Sequence, residues 1–177
     1  MRDRYTRTAI SLHWLIALII LAGFSLGLYM HDLPLSPQKL KYFSWHKWMG
    51  ITVFLLAVVR VGWRLTHGAP ALPDGMPEWQ RRAAAASHGL LYLLILVIPI
   101  SGWLYSSASG VPVVYLGLIP LPDLVAPDKA LAQQLKLLHQ TLNFTLAALV
   151  ILHTAAALKH QFVDHDGLLA RMLPILK

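Results

Sequence analysis

Four long apolar runs separated by short polar stretches organise this chain. They cover residues 10–30 (ISLHWLIALIILAGFSLGLYM), 46–65 (HKWMGITVFLLAVVRVGWRL), 86–106 (ASHGLLYLLILVIPISGWLYS) and 138–158 (LHQTLNFTLAALVILHTAAAL). Each is close to the roughly 20 residues that an α-helix needs to cross a hydrocarbon layer about 30 Å thick. The second run ends on Arg60 and Arg64, whose long stems can carry their charges to the interface. Between the third and fourth runs, residues 110–127 hold Pro112, Pro120, Pro122 and Pro127, and their apolar part, VVYLGLIPL, is too short to span. That segment is expected as a loop against the membrane interface, with Asp128 near the cap of a fourth helix that starts before residue 138. The pattern predicts an all-α, integral membrane four-helix up-down bundle forming a single membrane domain over residues 1–177.

Composition agrees with the pattern. The 177 residues are 56% hydrophobic and only 13% charged, with a mean hydropathy of +0.57. A soluble domain carries about 25% charged residues, so much of this surface must face lipid. The opening MRDRYTRTA and the apolar run behind it have the outline of a signal peptide. The run is too long for an h-region, however, and no small-x-small cleavage site follows, so a retained first helix is expected.

The net charge of +7 reads as membrane-edge lysine and arginine, not as a nucleic-acid surface, because these residues set topology. Arg2, Arg4, Arg7, Arg60, Arg64, Arg81, Arg82, Lys159, Arg171 and Lys177 fall on the side of the termini. Lys39, Lys41, Lys47, Lys129 and Lys136 fall on the other. Ten against five places both termini in the cytoplasm.

The histidines carry the chemistry. His139 and His153 stand fourteen residues apart in one apolar run. Fourteen helical steps return to nearly the same face and separate the two rings by roughly 21 Å. Intramembrane histidines are costly and need partners; two stacked haems, each taking one imidazole from this helix, would supply them. The same step relates His13 to Gly27, His46 to Arg60 and His88 to Gly102. An outer layer then holds His46 and His139, with Gly27 and Gly102 leaving space for a flat macrocycle. An inner layer holds His13, His88 and His153, with Arg60 nearby. His46 pairs with His139. The partner of His153 is His13 or His88; we take His13, leaving His88 to hydrogen-bond a haem propionate or a quinone. Arg60 suits a carboxylate of the inner haem, which a guanidinium grips with two parallel hydrogen bonds.

With no cysteine in the chain, covalent C-x-x-C-H attachment, disulfides and cysteine-bound clusters are excluded, so any haem is b-type and non-covalent. No Asp or Glu falls inside a span, which disfavours a dinuclear carboxylate site and a zinc or proton transporter. His31, His67 and His165 read as ordinary interfacial residues, and the tryptophans near span ends as an aromatic belt.

The motifs ISLHWL, WHKWMGI, VVRVGWRL, SHGLLYLLILVIPISGW, LKLLHQTL, LHTAAALKHQF and DGLLARMLP together resemble the bacterial cytochrome b561 family, small four-helix dihaem proteins of the inner membrane, over almost the whole chain. The resemblance implies that His13 with His153, and His46 with His139, ligate two haems, and that ubiquinone exchanges electrons with them. It also implies superoxide oxidase activity, in which superoxide at the outer face reduces ubiquinone. Lys39, Lys41, Lys47, Lys129 and Lys136 are then candidates for steering superoxide, and His88, Arg81, Arg82 and His160 are candidate quinone or proton groups, with Asp74 and Glu78 as weaker relays. The alternative is a cytochrome b conduit between the quinone pool and a periplasmic or membrane protein. A protein partner is compatible with this reading but not required by it.

Overall fold

The computed structural model describes residues 4–73 and 75–173. Arg2, Lys177, Asp74 and the Pro174 of the tail motif lie outside them. Four helices follow one another, α1 (Arg7–His31), α2 (Pro37–His67), α3 (Glu78–Ala108) and α4 (Lys129–Lys159). All four are long and apolar enough to cross a membrane.

Their ends follow local chemistry. Thr6 caps α1 by accepting a hydrogen bond from the Ala9 N–H, and Ser36 caps α2 by accepting from the Lys39 N–H. Pro37 follows Ser36, where the N–H it lacks would have had no helical partner. Asp128 caps α4, as its position suggested, accepting from the N–H groups of Ala130 and Leu131. The helices α2, α3 and α4 each have 31 residues, about 46 Å at 1.5 Å per residue. That exceeds the hydrocarbon thickness, so their ends project, which is why the observed helices outrun the apolar runs. Past Lys159, α4 widens into a π-helical turn, His160–Asp164, which His165 ends in the left-handed conformation.

Each helix packs on the next: α1 on α2, α2 on α3 and α3 on α4. In contrast, α1 and α4 face each other without close backbone packing; Phe24 and Phe144 meet edge to face across this seam at 5.9 Å. The dry core is small. Ile16, Val53, Ala57, Leu94, Ile95, Ile98 and Leu146 form one buried cluster, and Val53 and Leu146 lie midway between the two polar positions of their helices. Between 6% and 17% of each apolar window is buried inside the bundle, so most of the remainder is left for lipid.

One end of the bundle carries the described terminal segments and the α2–α3 connection. The other is covered by the α3–α4 connection, which is more ordered than a plain loop. Val114–Tyr115 pairs antiparallel with Ile119–Pro120, and Leu116 and Gly117 both turn with positive φ. Trp48 and Trp103 were expected in an aromatic belt. Here their indole N–H groups donate to the carbonyls of Val114 (2.7 Å) and Pro122 (3.1 Å) and pin this hairpin over the bundle. Tyr115 and Thr52 join their hydroxyls at 2.9 Å.

Candidate haem sites

Two histidine layers sit above and below the dry core. At the hairpin end, α2 brings in His46 and α4 brings in His139, with ring centres 6.1 Å apart and planes at 87°. Each ring is held through Nδ1. His46 Nδ1 lies 3.0 Å from the Gly23 carbonyl, to which it donates. His139 Nδ1 faces two acceptors, the Ile98 carbonyl at 3.1 Å and Ser101 Oγ at 2.9 Å, while the Ser101 hydroxyl donates to Ile98. With Nδ1 donating, Nε2 of each ring is a free lone pair, the arrangement that orients a histidine for a metal and raises its basicity.

The glycines opposite these rings stand against the imidazoles. A Cβ at Gly102 would sit 2.9 Å from His139 Cε1, and one at Gly27 would sit 3.2 Å from His46 Cε1. The missing side chains let the His46 ring lie close against α1 and the His139 ring close against α3.

At the terminal end, α1, α3 and α4 converge. His153 lies 6.4 Å from His13 and 5.3 Å from His88, centre to centre. Arg60 reaches in from α2. Its Nη1 donates to the Ala9 carbonyl at 2.8 Å and its Nη2 lies 3.3 Å from His13 Nδ1. Its guanidinium also stands 5.7 Å from the centre of the Tyr92 ring.

These spacings bear on what the layers can hold. A metal gripped from opposite sides by imidazole nitrogens at roughly 2.0–2.1 Å keeps the two ring centres roughly 6.3 Å apart. The His46/His139 pair at 6.1 Å and the His13/His153 pair at 6.4 Å lie near this distance, and His88/His153 stands at 5.3 Å. A narrow, open and mostly apolar cleft of about 60 Å³ runs beside the first pair, lined among others by Phe24, Met49, Pro99 and Asn143. Together with the loose α1–α4 seam, these features fit b-type haem held by histidine alone.

Other candidates are placed elsewhere. Arg81 donates to the carbonyls of Met76 and Pro73, clamping the α2–α3 connection, and Arg82 is ion-paired with Glu78 at 2.9 Å on the exposed face of its own helix. His160 is half-buried, with Nδ1 2.6 Å from Asp166 and 3.1 Å from Asp164. Those two aspartates were missed in the sequence because both lie past the apolar run; with Gln80 and Met76 they line a recess in which about 350 Å³ is free. Among the lysines, Lys39 donates to the carbonyls of His31 and Leu33, and Lys47 to those of Val111 and Pro112. Lys41 lies over the Trp45 ring at 5.0 Å. Lys129 and Lys136 are exposed on α4. Ser101 also went unnoticed, although a serine beside Gly102 in an apolar run was a usable signal.

Comparison with known proteins points to one family. A family model described as prokaryotic cytochrome b561 matches residues 4–174. "Cytochrome b561 homolog 2" of Escherichia coli (strain K12) is 37% identical over 178 residues, covering 97% of this chain and 92% of that protein. "Probable superoxide oxidase CybB" of Yersinia pestis is 29% identical over 177 residues, covering 98% of both. "Cytochrome b562" of Cereibacter sphaeroides is also 29% identical, covering 96% and 94%.

Proposed function

The chain belongs to the prokaryotic cytochrome b561 family of multi-pass membrane electron-transfer proteins with b-type haem, and from that premise we propose that it is a dihaem superoxide:ubiquinone oxidoreductase. The carrying observation is the pair of histidine couples, each spaced for one metal, on opposite sides of the dry core. In this reading His46 and His139 hold one haem b, His13 and His153 hold the other, and both termini are cytoplasmic, in the inner membrane of a bacterium. The superoxide donor is suggested by the name of the Yersinia pestis relative.

When bound, the two haems, which His46 with His139 and His13 with His153 would hold, would supply one-electron redox chemistry. Two superoxide ions lose one electron each and leave as dioxygen; one quinone takes both electrons and two protons and leaves as quinol. The chain's own residues do the rest. His46 and His139 are kept in one tautomer by their carbonyl partners. Lys41, Lys129 and Lys136 present positive charge at the hairpin end, and Lys39 and Lys47 add theirs while tying down loops. Such a rim raises the encounter rate of a small anion by about one to three orders of magnitude, and the gain fades with ionic strength. At the terminal end, His88 and His160 can pass protons to a quinone.

The test is stoichiometric. Purified protein given superoxide and ubiquinone is expected to form quinol at a rate that falls with added salt, and to make little peroxide. Dismutation would instead leave one peroxide for every two superoxides. Peroxide at that ratio without quinol would refute the assignment. The second reading, a conduit between quinone and a protein docked on the hairpin, requires a stable complex and negligible superoxide consumption by the isolated chain.

His88 separates ligand from proton group. The His88→Phe protein is expected to keep the haem content and optical spectrum of the parent while quinol formation drops about 10²–10⁴-fold, the usual worth of a positioned acid or base. Loss of a haem in this variant would make His88, not His13, the partner of His153.

A further inference from the structure

The two layers are built with opposite electrostatics. At the hairpin end every Nδ1 donates to an oxygen: His46 to Gly23, and His139 to both Ile98 and Ser101. Donation from Nδ1 pushes electron density toward Nε2 and makes each ring a stronger donor to whatever metal it holds. A stronger donor favours the more positive, oxidised state of that metal. At the terminal end the His13 Nδ1 has no such oxygen partner among the described residues. It faces the Arg60 guanidinium at 3.3 Å, a cation that offers only donors. A His13 that offers Nε2 to a metal carries its proton on Nδ1, so in the loaded protein the guanidinium acts on that ring as a neighbouring cation and not as a hydrogen-bond donor, and it opposes further positive charge in the layer. Arg60 is half-buried and fastened to the Ala9 carbonyl at 2.8 Å, so its charge is fixed in place and only partly screened by solvent.

We propose that Arg60 and Ser101 set the order of the two midpoint potentials, the His13/His153 layer being the higher, so that an electron placed at the hairpin end runs toward the terminal end. This rests on the dihaem reading above and adds the direction of flow to it. The transfer moves one electron, oxidising the hairpin-end site by one unit and reducing the terminal-end site by one, and no proton or atom changes place. Arg60 and Ser101 are positioning residues here: each acts through a histidine it touches. The role also explains an arginine turned inward on α2 at the level of the histidines, where a leucine would pack without the cost of a buried charge.

The experiment is an optical redox titration of the purified holoprotein in detergent, with haem counted per chain beforehand. The His46→Ala and His139→Ala proteins, which leave only the terminal-end layer intact, assign each spectral component to its layer. In the parent protein the terminal-end component is expected to titrate at the higher potential. Arg60→Met is expected to lower it by at least a tenfold change in electron partition between the layers, about 59 mV for a one-electron couple, without moving the hairpin-end component. Arg60→Lys, which keeps the charge, is expected to restore most of the gap. Ser101→Ala is expected to raise the hairpin-end component by a smaller amount and narrow the gap from the other side. A reversed order in the parent, or an Arg60→Met shift shared equally by both components, overturns the proposal while leaving the dihaem reading intact. Fewer than two haems per chain sinks both.

Discussion

Replacing His139 with alanine is expected to remove one of two haems, cutting haem per chain by about half, and to abolish quinol formation from superoxide. His139 is the most heavily supported ring in the bundle, with two acceptors on Nδ1 and the imidazole of His46 6.1 Å away. No other imidazole is described at that level, so His46 would be left without a partner ring. The remaining layer, His13 with His153, lies beyond the dry core and should keep its haem. The measurement is a reduced-minus-oxidised spectrum with haem and protein quantified on the same sample, beside the His153→Ala protein, which should lose the other component. Retention of both haems in the His139→Ala protein would remove the basis for the two-layer assignment.

The second large effect comes from adding a single carbon. In the Gly102→Ala protein the new methyl would meet His139 Cε1 at 2.9 Å and Nδ1 at 3.3 Å. The ring cannot retreat freely, because Ser101 and Ile98 hold its Nδ1 from α3 itself. Either the hydrogen bonds break or α3 and α4 separate, at an overpacking cost of about 1–3 kcal/mol. The expected outcome is loss of the hairpin-end haem with the terminal-end haem retained. A graded series checks the cause. Gly27→Ala, whose Cβ would lie 3.2 Å from His46 Cε1, should be milder, and Gly62→Ala, which meets nothing within 4 Å, should bind haem like the parent. Its helix should also gain about 0.5–1 kcal/mol, since glycine is the poorer helix former. Equal haem content in the Gly102→Ala and Gly62→Ala proteins would show that His139 has room to move.

Much of this was legible along the chain. Helix geometry is local: a fixed rise and a fixed turn per residue mean that fourteen positions along any run mark the same face at a known depth. The apolar runs therefore announced four helices, and the spacing of His139 and His153, repeated in the other runs by His13 and Gly27, His46 and Arg60, and His88 and Gly102, announced two layers. Asp128 as a cap was readable for the same reason, since capping depends on neighbours a few residues away.

Only the tertiary structure could decide what each position does once the helices meet. How far apart two helices pack, and how each is rotated about its axis, depends on side chains distant in sequence. So the sequence located Gly27 and Gly102 at the level of the histidines but could not say how closely each imidazole lies against them. It placed His13 and His88 at one depth, and the packed bundle set them at 6.4 Å and 5.3 Å from His153. It put Arg60 at the depth of the inner layer, and the fold set its guanidinium beside Ala9 and His13. It grouped Lys39 and Lys47 with the free lysines, and the fold engaged both on backbone carbonyls. The sequence by itself determined depth and face, because these follow from the covalent repeat; partner and orientation were decided by packing, because they arise between helices and not within them.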